Sequence, residues 1–199
     1  MARPRKNSLE EATTSRVLRA AENAFGQHGF AAARLEDIAK EVGITRPSLL
    51  YHFSSKENLY HQVVKRAFDQ LRDVVLQAMV VERTYAHQLD AVVRDMLKFA
   101  DQRPFLLHLV LRELVDPTEP GKKLAQEELL PLIDLIESLV IRNGGDMVPK
   151  NVPLRSAIMS LIVSYLVRVA SGDVGRALWG EKDHTQELAR YLLLKKSGA

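Results

Sequence analysis

The stretch Leu35–Phe53, LEDIAKEVGITRPSLLYHF, decides how the chain is read. Ile38 and Val42 fall one helical turn apart with Ala39 beside them. They make a narrow apolar stripe opposite Glu36, Asp37, Lys40 and Glu41, the pattern of a short amphipathic helix. Gly43 follows the last periodic residue, where a left-handed cap suits a residue without a Cβ, so the helix stops there. Ile44 plugs the turn, and the Thr45 hydroxyl is placed to accept a free backbone N–H of a second helix. Pro47 fits that helix's first turn, where its missing N–H would have been orphaned anyway. The second helix then spans residues 46–53. Two helices joined by a short glycine turn form a helix-turn-helix, whose second member enters the DNA major groove.

The flanks narrow this reading. His28-Gly29-Phe30 closes a preceding helix, Leu49-Leu50-Tyr51-His52-Phe53 is rich in aromatics, and Ser55-Lys56-Glu57 opens a fourth helix. In these residues, with Ile38-Ala39 and Gly43-Ile44-Thr45 between them, the chain resembles the TetR/AcrR family of transcriptional regulators over residues 17–60. It departs from the family at Ala33-Arg34, where threonines usually precede the second helix, and at Leu50, where a tyrosine is common.

Arg34, His52 and Lys56 are expected to hold phosphates, together with backbone N–H groups at the start of the recognition helix. Arg46, Ser48, Leu49 and Tyr51 are the candidates for base edges, Arg46 for a guanine and Tyr51 for a thymine methyl or the backbone. Thr45 and Pro47 complete the DNA-facing set. The resemblance implies a ligand-responsive repressor acting as a homodimer on a palindromic operator of double-stranded DNA, with its effector in a helical domain. Two other readings stay open: an activator of the same family, and a helical ligand-binding or interaction protein that does not bind DNA.

The 199 residues are 46% hydrophobic, enough to bury a sizeable core, and contain no cysteine, which excludes disulfides and thiolate metal sites and suits a reducing cytosol. The N-terminus, MARPRKNS, is basic but lacks the apolar segment of a signal peptide, and the longest apolar run, Ala157 to Val167, is far shorter than the ~20 residues of a membrane span. A cytoplasmic protein without membrane attachment is expected. The net charge of +3 is mild, but residues 1–60 hold nine Lys/Arg against seven Asp/Glu, so most of the excess lies with the motif. Arg3, Arg5 and Lys6 form a short arm that suits a minor groove or phosphates as well as it suits solvent.

The rest reads as helices, so the chain is expected to be all-α: a three-helix DNA-binding domain over 1–60, then a helical bundle over 61–199 for effector binding and dimerisation, about nine helices in all. Ser8 and Glu11 have capping-box spacing for the first helix, and Ser54 and Glu57 repeat it for the fourth, which runs to about Val81. A fifth helix ends at Arg103-Pro104, and Pro104 opens a sixth, FLLHLVLRELV, apolar nearly all round. A loop over residues 116–121 precedes a seventh helix from Lys122 to Arg142, kinked at Pro131, and Leu154 to Ala170 and Thr185 to Lys195 make the eighth and ninth. The seventh and eighth carry broad apolar surfaces. The family resemblance implies that they pair across a two-fold axis.

No Gly-x-Gly-x-x-Gly, P-loop or Gly-x-Ser-x-Gly occurs, and His87 and His108 lack metal-ligand spacing, so neither an enzyme, a cofactor nor a metal site is expected. His108 and Arg112, four apart on the sixth helix, and Tyr165 on the eighth are the candidates to orient a ligand in an apolar pocket. An ion pair of Arg112 with Glu113, and core packing of Tyr165, are the structural alternatives.

Overall fold

A computed structural model describes residues 6–81 and 84–195. Among them the protein is helical, with no strand: α1 Lys6–Ala32, α2 Leu35–Glu41, α3 Arg46–His52, α4 Lys56–Val81, α5 Tyr85–Asp101, α6 Pro104–Val115, α7 Glu119–Leu124, α8 Leu130–Gly144, α9 Leu154–Ala170, α10 Gly172–Trp179 and α11 Thr185–Leu193. Arg3 and Arg5 of the basic arm, and the side chains of Lys6 and Ser8, lie outside the described residues. Helix α1 already includes Lys6, so Ser8 is not its first residue.

The local signals around the turn act as the residues dictate. Gly29 and Gly43 adopt φ of 78° and 71°, conformations that cost an L side chain strain, and each ends a helical run. Thr45 Oγ1 accepts from the Ser48 N–H at 3.3 Å and so caps α3. Arg34 precedes α2 without a side-chain cap, as the missing threonine implies, and the acidic Glu36 and Asp37 in the first turn favour its positive end. The cap of α4 is Ser55, whose Oγ accepts from the Asn58 N–H at 3.0 Å, not Ser54 with Glu57.

Val17, Ala21 and Phe25 of α1, Ile38 of α2, Leu49 of α3 and Leu59 and Val63 of α4 are all but inaccessible to solvent and form one core. Arg16 ties α1 to the end of α2 by donating to the Val42 carbonyl at 2.6 Å. That core continues without a break into the bundle through the 26-residue α4.

Beyond α6 the chain departs from the sequence reading in three places. Helical structure starts at Glu119, inside the expected loop, because Thr118 caps it through the Gly121 N–H at 3.1 Å. The expected kink at Pro131 is a π-helical turn, Ala125–Leu129, ahead of the proline, which releases the i−4 carbonyl that its ring would strike. Helix α10 was not foreseen, since glycines 172, 175 and 180 break the apolar periodicity there. Arg168 holds the following loop by donating to the carbonyls of Gly180 and Glu181, both at 3.0 Å.

Candidate nucleic-acid interface and bundle cavity

Helix α3 is amphipathic over only seven residues, and its two faces separate the expected DNA contacts. Thr45, Arg46, Pro47 and Tyr51 are exposed, Tyr51 by 81%. Ser48 and His52 are half-buried beside them, the His52 ring meeting that of Tyr51 edge-on at 5.5 Å. Leu49 is fully buried and cannot offer a surface to a base. It is a core residue of the turn and not the base contact expected of it. Leu50, one position on, lies half-buried against the same core.

The cations around this helix are differently engaged. Arg46 pairs with Glu36 at 3.2 Å, both side chains more than half exposed, so the pair contributes at most about 1 kcal/mol and is readily exchanged for another partner. Arg34 is exposed at the start of α2. Lys56 donates to the Ala31 carbonyl at 3.0 Å and lies over the Phe30 ring at 4.8 Å, which anchors α4 to the end of α1. Partial burial there lowers its pKa. Two of its three donor hydrogens remain to be placed.

A junction missed by the sequence reading lies just behind. Phe25 and Phe30 of α1 and Tyr60 of α4 meet with ring centroids 5.1 to 6.1 Å apart. The Tyr60 hydroxyl donates to Glu113 Oε1 at 3.2 Å, and Glu113 Oε2 accepts from the Thr118 N–H and hydroxyl, each at 2.9 Å. Burial first, and then the Glu113 carboxylate, push the Tyr60 phenol far above its ordinary range. Arg112 does not pair with Glu113: its Nη2 reaches the Gln27 carbonyl at 3.5 Å, beside the bend at Gly29. Helix α6 thus grips α1 and α4 together. The one signal for this in the sequence is Glu113 itself, the single carboxylate on a mostly apolar helix.

The earlier turns of α6, Leu106, Leu107 and Val110, on the stripe that Glu113 continues, line a cavity of about 160 Å³ among α4, α5, α8, α9 and α11. Tyr165 contributes its ring to that cavity, but its hydroxyl donates to Asp101 Oδ1 at 2.6 Å, with the Leu97 carbonyl at 3.5 Å. Burial and that carboxylate raise its pKa. His108 and Arg112 do not line the cavity. They flank a separate groove with Asp116, Ala170 and Ser171, where His108 Nε2 sits 3.4 Å from the Ala170 carbonyl. The three candidate ligand residues are therefore not brought together: the phase of a helix that is apolar all round cannot be read from its sequence.

Most of the apolar surface expected to be surplus on α8 and α9 is spent within the chain, Leu132, Ile133, Ile136, Leu139, Val140, Ile158 and Leu166 being buried. Leu130 and Ile141 of α8 and Val163 of α9 stay exposed, and α10 adds Val174, Leu178 and Trp179. No helix among the described residues is long and apolar enough to cross a membrane, and no cluster there of three or more His, Cys, Asp or Glu could hold a metal ion.

Residues 17–63 match the family described as bacterial regulatory proteins, tetR family. The chain is 36% identical over 75 residues to the biofilm operon icaADBC HTH-type negative transcriptional regulator IcaR of Staphylococcus aureus, a match that spans 38% of this chain and only 39% of that relative. It is 26% identical over 164 residues to the HTH-type transcriptional repressor AcnR of Corynebacterium diphtheriae, covering 78% and 80% of the two chains. Among solved structures it is similar to a TetR family transcription regulator from Marinobacter aquaeolei VT8, with a TM-score of 0.72 at 16% identity over 96% of this chain and 100% of that one.

Proposed function

We propose that the chain, whose residues 17–63 match the tetR family of bacterial regulatory proteins, is a member of that family and a ligand-responsive repressor that binds a palindromic operator as a homodimer in the cytoplasm. The observation that carries the reading is the outward face of α3: Arg46, Pro47 and Tyr51 stand exposed on a helix anchored from within by Leu49 and capped by Thr45. Arg46 and Tyr51, with Ser48, are assigned to base edges, and Arg34, His52 and Lys56 to phosphates. IcaR and AcnR are both described as negative regulators, which favours repression over activation. The regulatory character of those relatives also speaks against an enzyme.

Two recognition helices reach successive major grooves only when held about 34 Å apart, one turn of duplex, so a dimer is needed. The exposed apolar residues of α8 and α9, extended by α10, are its proposed face, and residues 1–60 and 61–199 are the proposed DNA-binding and effector domains. The effector would act through α6, whose first turns line the cavity while its last turn holds Glu113 against Tyr60 and Arg112 against the end of α1. A ligand that fits better when α6 is displaced would favour a spacing unable to bind DNA, because only differential affinity shifts the equilibrium.

The test is a titration with the operator at several salt concentrations. Lys56→Ala is expected to weaken binding to all sequences alike and to flatten the salt dependence by about one unit of slope, whereas Arg46→Ala is expected to relax sequence preference by about 1–3 kcal/mol. A change of preferred operator in Lys56→Ala would overturn these roles.

A further inference from the structure

We propose that the bundle cavity takes an uncharged, almost purely apolar molecule the size of a substituted benzene ring or a short alkyl chain, and that it rejects carboxylates and amines of the same shape. The inference rests on the reading of this cavity as the effector site and deepens it.

Among the described residues, no Lys, Arg, His, Asp, Glu, Asn or Gln side chain lines the cavity. The polar exceptions are Tyr165 and Thr185. The Tyr165 hydroxyl is committed to Asp101 at 2.6 Å, and Asp101 is exposed, so the hydroxyl points away from the cavity and the ring alone faces it. That leaves one threonine hydroxyl, enough to meet a weak dipole and too little to replace the hydration of an ion.

The buried carboxylates of the bundle, and Arg103 ahead of α6, are engaged elsewhere. Glu113 takes Tyr60 and Thr118, Glu128 faces Arg72 at 3.7 Å, and Arg103 takes Glu22 at 3.0 Å and Gln70. A carboxylate entering the cavity would meet none of these cations without breaking a pair that already exists. Its desolvation would go uncompensated.

Size narrows the class further. A cavity of about 150 Å³ lined by Leu, Ile and Phe stays dry and binds benzene, and this one measures about 160 Å³. Its walls include Phe68, Phe99, Met79 and Met96, and the methionines can repack around guests of somewhat different outline.

The test is calorimetric titration of the full chain with ethylbenzene, benzoate and benzylammonium, paired with operator-release assays in the same solutions. Ethylbenzene is expected to bind with a negative heat-capacity change and to raise the melting temperature, and the two ions to bind at least ~100-fold more weakly. Val110→Phe, which fills the cavity, is expected to abolish ethylbenzene binding. If that variant does not fold, Val93→Met at the wall is expected to weaken it. Benzoate or benzylammonium binding as well as ethylbenzene, or no binding of ethylbenzene, would overturn the inference. Ethylbenzene bound selectively without operator release would uphold the ligand class and refute the effector reading.

Discussion

Leu49 and Tyr51 sit two residues apart on α3 and meet opposite fates, one fully buried and the other 81% exposed. Their substitutions should separate stability from binding. Leu49→Ala removes a side chain from the centre of the helix-turn-helix core and is expected to cost about 2–5 kcal/mol, read by denaturant unfolding. Tyr51→Ala should stay within about 0.5 kcal/mol of the parent in the same experiment while lowering operator affinity. The opposite pattern would place Tyr51 in the core role. The Thr45 cap and the Gly43 turn were legible in the sequence because each is a bond or a dihedral between near neighbours. The burial of Leu49 was not: in a seven-residue helix carrying Leu49-Leu50 side by side, only the docking of α1 and α2 decides which leucine turns inward. Arg46 shows the same limit, since its pairing with Glu36 depends on how α2 and α3 are set against each other.

At the scale of elements, α6 and α11 show how sequence signals run out. The all-round apolar character of α6 marked it as central, and it is, packed between α1 and α9. That same character hid its phase, so the pair His108 and Arg112 read as cavity-facing lies outside, while Glu113 turns inward to Tyr60. Helix α11 is held to α5 by two hydrogen bonds from Arg190 to Asp90, a contact across a hundred residues that no local pattern announces. The Arg190 guanidinium holds the Asp90 carboxyl below the usual carboxylate range. A depressed pKa means stability that is present above the unfolded value of about 3.9 and lost as pH falls through the folded one. Thermal unfolding should therefore show a gap of up to about 1 kcal/mol between the parent and Asp90→Asn at pH 7 that closes below pH 4. A gap unchanged at low pH would mean that the loss is one of packing, not of charge.

For the molecule as a whole, the all-α class and the position of the helix-turn-helix followed from periodicity and turn residues, because both are properties of short windows. The dimer face did not follow in the same way. The stripes counted on α8 and α9 are mostly core, and the few apolar residues left exposed on them are joined by others on α10. A stripe in sequence shows that a face is buried but not by which partner. If two copies of α3 read a palindrome, a footprint of the full chain on genomic fragments that it selects will show it. One protected palindrome is expected, with half-site centres about 10 base pairs or a multiple apart, and it is lost on substitution of Arg46 and Tyr51. Protection without sequence selection, or of a single unpaired half-site, would contradict it.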